Sequence, residues 1–243
     1  MLSERSKKLR LDIIKLSKAN GGYHYGGSFS CVEILLTLFD NILDEKSDKF
    51  IMSKGHACWG FYVLLHEKGL KPLLEGHPHR DIHNGVEWTT GSEGHGFPAA
   101  VGMSLARKIK KQKGKIFVLI GDGECQEGTT WESMLIAAHH KLDNLTVIAD
   151  FNKIQGSGFV KDILPVDSLG EVAKSIGWEV NEVDGHNIDE LKNSMNKNNS
   201  RPTLIIAHTI KGKGVSFMEN QPKWHANWPS PEYEKKAIEE LSK

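Results

Sequence analysis

The stretch Ile116-Phe117-Val118-Leu119-Ile120-Gly121-Asp122-Gly123-Glu124-Cys125-Gln126-Glu127-Gly128 constrains this chain more than any other. Five consecutive apolar, β-favouring residues run into Gly-Asp-Gly, and a polar, helix-forming segment follows. A strand buried on both faces delivers a loop to the carboxyl edge of a parallel sheet in this way. A second apolar run, Leu145 to Phe151, ends on Asn152, and Trp131 to Lys141 between the two reads as a crossover helix. Asp122 and Asn152 are therefore expected side by side at one edge of one sheet.

The same rhythm recurs along the chain. Residues 4–18 carry Leu9, Ile13, Ile14 and Leu16 among charges, an amphipathic helix ended by Asn20-Gly21-Gly22. Tyr23 to Phe29 reads as a glycine-rich loop, and Ser30-Cys31-Val32-Glu33 has capping-box spacing for a helix burying Val32, Leu35, Leu36 and Phe39. Phe50-Ile51-Met52 is a short strand, turned by Ser53-Lys54-Gly55-His56 into a helix from Ala57 to Lys68. From Lys71 to Gly96 the chain lacks periodicity and reads as a long loop, which in compact domains is usually functional. A helix rich in small residues (Ala99, Ala100, Gly102, Ser104, Ala106) follows, suited to close packing on the sheet or a partner. Beyond Asn152, Gln155 to Gly158 reads as a mobile loop, and Ser168 caps a helix. A strand from Trp178 to Val183, a helix from Ile188 to Asn198 and a strand from Thr203 to His208 complete the pattern. The expectation is one domain over residues 1–243, α/β, with a doubly wound, mostly parallel sheet flanked by helices.

With 31 basic and 31 acidic side chains the formal charge is zero, so no electrostatic footprint for nucleic acid or an anionic membrane is present. The basic run from Arg107 to Lys115 reads as a solvated helix end. Cys31, Cys58 and Cys125 are scattered singly, which suits neither a disulfide framework nor a zinc site and points to a reducing compartment. The charged amino terminus lacks a signal-peptide core and no run reaches membrane-spanning length, so a soluble, cytoplasmic protein is expected.

A carboxylate, an amide oxygen and a nearby backbone carbonyl are hard oxygen ligands. Two diphosphate oxygens and a water would complete an octahedral Mg²⁺ shell around them, which marks Asp122 and Asn152 as candidate metal ligands. Gly-Asp-Gly alone also serves ordinary turns. The asparagine at the end of the next strand is what favours the metal. Backbone donors at the start of the helix after Gly55, with the His56 imidazole, suit an anionic diphosphate. A metal site on His77, His79 and His83 has no further ligand to complete it.

Gly121-Asp122-Gly123 followed by Asn152 resembles the thiamine-diphosphate motif, and Glu127-Gly128 places it close to the transketolases. The resemblance extends over nearly the whole chain: Ala19-Asn20 with His24, Ser53-Lys54-Gly55-His56-Ala57, Gly76-His77-Pro78 and Thr89-Thr90-Gly91-Ser92 stand in transketolase order. It implies the diphosphate-binding domain of the thiamine-diphosphate fold, with Mg²⁺ (or Ca²⁺ or Mn²⁺) on Asp122, Asn152 and the Ile154 carbonyl. His56, Gly123 and His225 would meet the diphosphate. Gly91, Glu93, Gly121 and Glu124 would complete the cofactor contacts. His24, His77 and His225 would serve the substrate's protons and hydroxyls, and Glu127 would join a carboxylate network linking paired sites.

The sequence departs from the family pattern at Glu93, normally apolar, at His95, normally glutamine, and at Ala226, which replaces a glycine after His225. Asp184-Gly185-His186 also matches the family and reads as a structural turn, whereas Lys211-Gly212-Lys213-Gly214 lacks the Walker spacing. A complete transketolase carries a pyrimidine-binding and a carboxy-terminal domain after this one. The resemblance thus implies the amino-terminal subunit of a split enzyme that moves a two-carbon ketol unit from a ketose (phosphate) to an aldehyde, paired with a separate carboxy-terminal subunit in a two-plus-two heterotetramer. A decarboxylating, acyl-coupling enzyme on the same cofactor and a non-catalytic cofactor-binding module are the alternatives. A nicotinamide Rossmann domain lacks its Gly-x-Gly-x-x-Gly.

Overall fold

The computed structural model describes residues 2–22, 24–197, 199–227 and 229–243, so Tyr23 and Asn198 of the reading above lie outside the described residues. Helix α1 (Glu4–Ala19) starts on the Ser3 side chain, which accepts from the Ser6 amide, and ends where Gly21 turns left-handed and the Gly22 amide returns to the Ser17 carbonyl. Leu9, Ile13 and Ile14 are buried on its inner face, where Arg10 and Ser17 are buried too.

The glycine-rich segment is a helix rather than a loop: α2 (Tyr25–Ser30) opens at His24, whose φ of 67° lies in the left-handed region, and every one of its residues is buried. Burial overrides the poor helix propensity of Gly26 and Gly27. Helix α3 (Val32–Thr37) follows at once and widens into a π-turn from Leu38 to Ile42. The capping box is therefore not made. Ser30 is the last residue of α2 and Glu33 turns inward to Arg10, while Val32, Leu35, Leu36 and Phe39 are buried as expected.

Strand β1 (Lys49–Met52) passes through a 3₁₀ turn (Gly55–Ala57) into α4 (Trp59–Glu67). The loop that follows holds only a 3₁₀ turn at Ile82–Asn84 and a bridge between Asp81 and Val86. Helix α5 (Gly96–Ile109), β2 (Ile116–Gly121), α6 (Gly128–His139) and β3 (Leu145–Phe151) complete the central unit. On α5, Ala100 and Ser104 are buried, whereas Gly102 and Ala106 stay exposed. The basic run after it is a helix end, Arg107 donating to the Ser47 carbonyl and Lys108 pairing with Asp143.

Past Asn152 the expected loop is instead a small antiparallel hairpin, β4 (Ile154–Gln155) and β5 (Gly158–Phe159). Then come α7 (Val160–Ile163), α8 (Leu169–Ser175), β6 (Glu179–Asp184), α9 (Ile188–Met195), β7 (Thr203–His208) and α10 (Pro231–Leu241). Ser168 stands at the α8 cap position without a side-chain bond to it. The caps of α9 and α10 are made, by Asn187 and Ser230.

The five long strands form one parallel sheet in the order β1-β2-β3-β7-β6. Alternation along β2 splits the interior in two: Phe117 and Leu119 join the core under α1, α3, α4 and α9, while Ile116, Val118 and Ile120 join the core under α5, α6 and α8. Helices on both faces explain why the central strands read as nearly continuous apolar runs. The carboxyl ends of β1, β2, β3 and β7 then bring Ser53–His56, Gly121–Glu124, Asn152–Ile154 and Thr209–Lys211 to one edge. Cys31, Cys58 and Cys125 are free and buried. No helix among the described residues is long and apolar enough to cross a membrane.

Candidate cofactor and metal site

β2 and β3 are hydrogen-bonded neighbours, with Gly121 in register with Asp150, so the loops after them emerge together. Asp122 is 3% exposed, and one carboxylate oxygen accepts from its neighbour Gly123 at 2.9 Å while the other accepts from the Lys153 amide. Asn152 is 5% exposed, and its amide oxygen accepts from the Ile154 amide at 3.1 Å. The Ile154 carbonyl accepts from the Lys211 ammonium at 3.0 Å. A carbonyl oxygen has two lone pairs, so this contact leaves one for a cation. Burial, with Asp150 nearby, pushes the Asp122 carboxyl up to about 6. No cluster of three or more His, Cys, Asp or Glu competent to hold a metal is present among the described residues. The buried donor set is one carboxylate, one amide oxygen and one carbonyl, chemistry that fits Mg²⁺ or another hard cation sharing ligands with a phosphate.

Beside this set the fold gathers imidazoles. The ring centroids of His24 and His56 are 5.5 Å apart, those of His24 and His225 5.4 Å, those of His56 and His225 5.0 Å, and those of His24 and His77 6.4 Å. His24 comes from the strained start of α2, His56 from the turn after β1, His77 from the long loop and His225 from the turn before α10. The His24 Nδ1–H donates to the His225 carbonyl at 2.7 Å, which leaves Nε2 as its acceptor atom. Lys211 donates to Nδ1 of His225 at 2.8 Å, so the proton of that neutral ring sits on Nε2.

Burial lowers the pKa of all four rings. Lys54 and Lys211 add to the effect at His56, Lys211 takes His225 down to about 3, and His79 lowers His77 further; at His24 the His225 carbonyl partly opposes it. The four are neutral hydrogen-bonding groups at neutral pH, flanked by two buried ammonium groups. Burial and Lys54 draw Lys211 itself down to about 8. Burial works against the charge of Lys54, but Asp150 outweighs it and raises its pKa.

The other expected contacts fall into place unevenly. Gly91 has a φ of 135°, and a Cβ there would meet the His77 ring at 3.0 Å, so only glycine lets loop and ring approach. The Gly121 amide donates to Glu124 at 3.2 Å. The Glu124 carboxylate also takes the Ser53 hydroxyl and, at 3.0 Å, the Gly94 amide. It thus ties β1, β2 and the loop before α5 together, and burial pushes it up to about 7. The Glu93 carboxylate lies 3.7 Å from His56 Nδ1 with its side chain 42% exposed. His95 is exposed, its Nδ1 3.1 Å from the Glu93 carbonyl. Glu127 is exposed at the N-cap of α6 without a side-chain cap bond. His79 pairs with Glu75 at the surface.

His186 is structural, as expected: its Nε2 accepts from the Ile210 amide and its Nδ1 donates to Glu33. A cavity of about 1240 Å³ borders Asp122, Asn152 and Ile154 from the side of His186 and Asp184. None of the four clustered histidines lines it, so this cavity and the imidazole cluster lie on different sides of the oxygen donors. Sequence reasoning missed Lys54, Asp150 and Lys211. For Asp150 the signal was present: a charge inside an apolar strand run demands a buried partner of opposite sign.

A parallel sheet whose carboxyl edge joins hard oxygen donors to neutral imidazoles and buried ammonium groups has the chemistry of a site for a phosphorylated cofactor. The sequence matches the family described as transketolase, thiamine diphosphate binding domain, over residues 3–232. The chain belongs to the transketolase family, as its thiamine diphosphate binding domain. It is 40% identical to one of the apulose-4-phosphate transketolase subunits of Actinobacillus succinogenes, across 99% of this chain and 95% of the relative. It is 34% identical to the 6-deoxy-6-sulfo-D-fructose transketolase subunit SqwG of Clostridium sp., across 96% of this chain and 93% of the relative. The crystal structure of the Campylobacter jejuni transketolase superposes with a TM-score of 0.87 at 29% identity, covering 98% of this chain and 42% of that one. The chain thus spans less than half the length of that transketolase and nearly the full length of the two subunits.

Proposed function

We propose that this chain is the amino-terminal subunit of a split transketolase. With a separate carboxy-terminal subunit bearing the pyrimidine-binding domain, it transfers a two-carbon ketol unit from a ketose, or ketose phosphate, to an aldehyde. The gathering of His24, His56, His77 and His225 beside the oxygen set of Asp122, Asn152 and Ile154 carries this reading, because a ketol transfer needs neutral donors and acceptors next to an anchored diphosphate. Relatives of matching length that are named as subunits support the need for a partner, and a two-plus-two assembly is the closed symmetry we propose for it. Three free, buried thiols suit a cytoplasmic setting.

Asp122, Asn152 and the Ile154 carbonyl would hold Mg²⁺, or Ca²⁺ or Mn²⁺ in its stead. His56, Gly123 and His225 would take the diphosphate, with the nearby Lys211 charge offsetting its own. Gly91, Glu93, Gly121 and Glu124 would shape the remaining cofactor wall. Thiamine diphosphate, when bound, supplies the carbon nucleophile that adds to the donor's carbonyl. The chain's own work is to orient and to move protons. His225 offers its Nε2–H to an oxygen that gains charge, His24 offers Nε2 as an acceptor, and His77 on its exposed loop meets substrate hydroxyls. Glu127, exposed at a helix start, would reach across to the partner.

The test is product analysis. The chain mixed with a ketose phosphate, an aldehyde and a carboxy-terminal transketolase subunit should yield the aldehyde extended by two carbons, and the chain without that partner should yield none. No product with any ketose tried, despite bound cofactor, would overturn the reading.

A further inference from the structure

Asp150 is the penultimate residue of β3 and is fully buried, yet the site described above gives it no contact with cofactor, metal or substrate. One of its oxygens accepts from the Ser30 hydroxyl of α2 at 2.5 Å, from the Lys54 ammonium after β1 and from the Asn152 amide nitrogen at 3.3 Å. The other accepts from the Thr209 hydroxyl after β7. Four donors from four elements converge on one carboxylate. Ser30 and Lys54 are themselves 0% and 1% exposed, while Thr209 is partly buried at the edge of the cavity.

Two consequences follow for Asn152. A carboxylate only accepts, so the amide atom that faces Asp150 must be the nitrogen, and the Ser30 oxygen, 3.4 Å away, makes the same demand. The amide oxygen is thereby turned the other way, to the side of Ile154, whose amide it meets. Moreover, with its lone pairs engaged and its charge matched by Lys54, Asp150 is occupied as an acceptor and does not become a ligand itself. We propose that Asp150, neutralised by Lys54, is a positioning residue that locks the Asn152 side chain with its oxygen presented to the metal. This rests on the reading of Asn152 as an oxygen ligand.

The two claims separate experimentally. In nuclear magnetic resonance of the metal-free full chain, the Asn152 side-chain amide protons should exchange ~10-fold or more slowly than in a Lys54→Met/Asp150→Leu variant, which removes both charges together. With thiamine diphosphate present, Mn²⁺ affinity read by electron paramagnetic resonance should fall ~10- to 100-fold in that variant, the usual effect of losing a group that orients a ligand. Adding Asn152→Asp to it should restore binding, since a carboxylate has no wrong way round, whereas the same change in the otherwise native chain should not improve it. A purely structural ion pair predicts no such rescue. Should the double variant not fold, Asp150→Asn, which keeps the shape but only one acceptor oxygen, should show the same losses to a smaller extent. An Asn152 amide as labile in the native chain as in the variant, or Mn²⁺ affinity unchanged within about twofold, overturns the positioning role. A protected amide with no Mn²⁺ uptake by the native chain, alone or with a carboxy-terminal partner, instead overturns the metal reading of Asn152.

Discussion

Glu33 shows how strongly one buried side chain can be held. Burial opposes its charge, but His186 and Arg10 overcome this and bring its carboxyl down to about 2 from 4.5. A carboxylate with a depressed native pKa contributes stability that is present above the unfolded value and lost as pH falls towards the folded one. The shift corresponds to about 3 kcal/mol as an upper figure. Urea unfolding of Glu33→Gln should therefore show a deficit at pH 7 that shrinks from about pH 5 to pH 3, and a deficit independent of pH would contradict this. Gly91 makes a second test at this scale. With its φ of 135° and a would-be Cβ 3.0 Å from His77, Gly91→Ala should cost about 1–3 kcal/mol and shift the His77 ring resonances. Asp122, Asn152 and the histidines were legible in the sequence because each stands at a turn after a recognisable strand or in a family block. Lys54 and Lys211 were not, because only the fold brings residues from separate strand ends onto one carboxylate or one carbonyl.

At the level of elements, apolar runs gave β2, β3 and β7 almost to the residue, since burial on both faces leaves few polar positions to blur them. Helix α2 escaped because two glycines and a serine-rich end favour a loop, and burial against α1, α4 and the turn after β1 decides otherwise. The β4–β5 hairpin escaped because each strand is only two residues long. The interior dependence is open to measurement: Leu119, 0% exposed on β2, should cost about 2–5 kcal/mol when cut to alanine. Removing Arg10 alone, as Arg10→Met, leaves Glu33 buried with only His186 to answer its charge and should cost about 3–5 kcal/mol, while Arg10→Met/Glu33→Leu should recover most of it. Equal losses in the single and double variants would show that the pair is not the source of the cost.

For the whole molecule, the sheet edge works as an assembly point. Four strand ends, the start of α2, the long loop and the turn before α10 converge so that neutral imidazoles, buried ammonium groups and hard oxygen donors share one small volume, and no single element could present this set. On the proposed function, such a surface supplies half of a ketol-transfer site and the partner completes it. The most direct measurement is a calorimetric titration of thiamine diphosphate with Mg²⁺ into the chain, alone and mixed with a carboxy-terminal transketolase subunit. Binding that requires the metal, tightens by ~10-fold or more when the partner is present and disappears in Asp122→Ala is the predicted result. Saturable binding that Asp122→Ala leaves intact, or none in either mixture, would contradict the assignment of Asp122, Asn152 and Ile154 as the anchor of the cofactor.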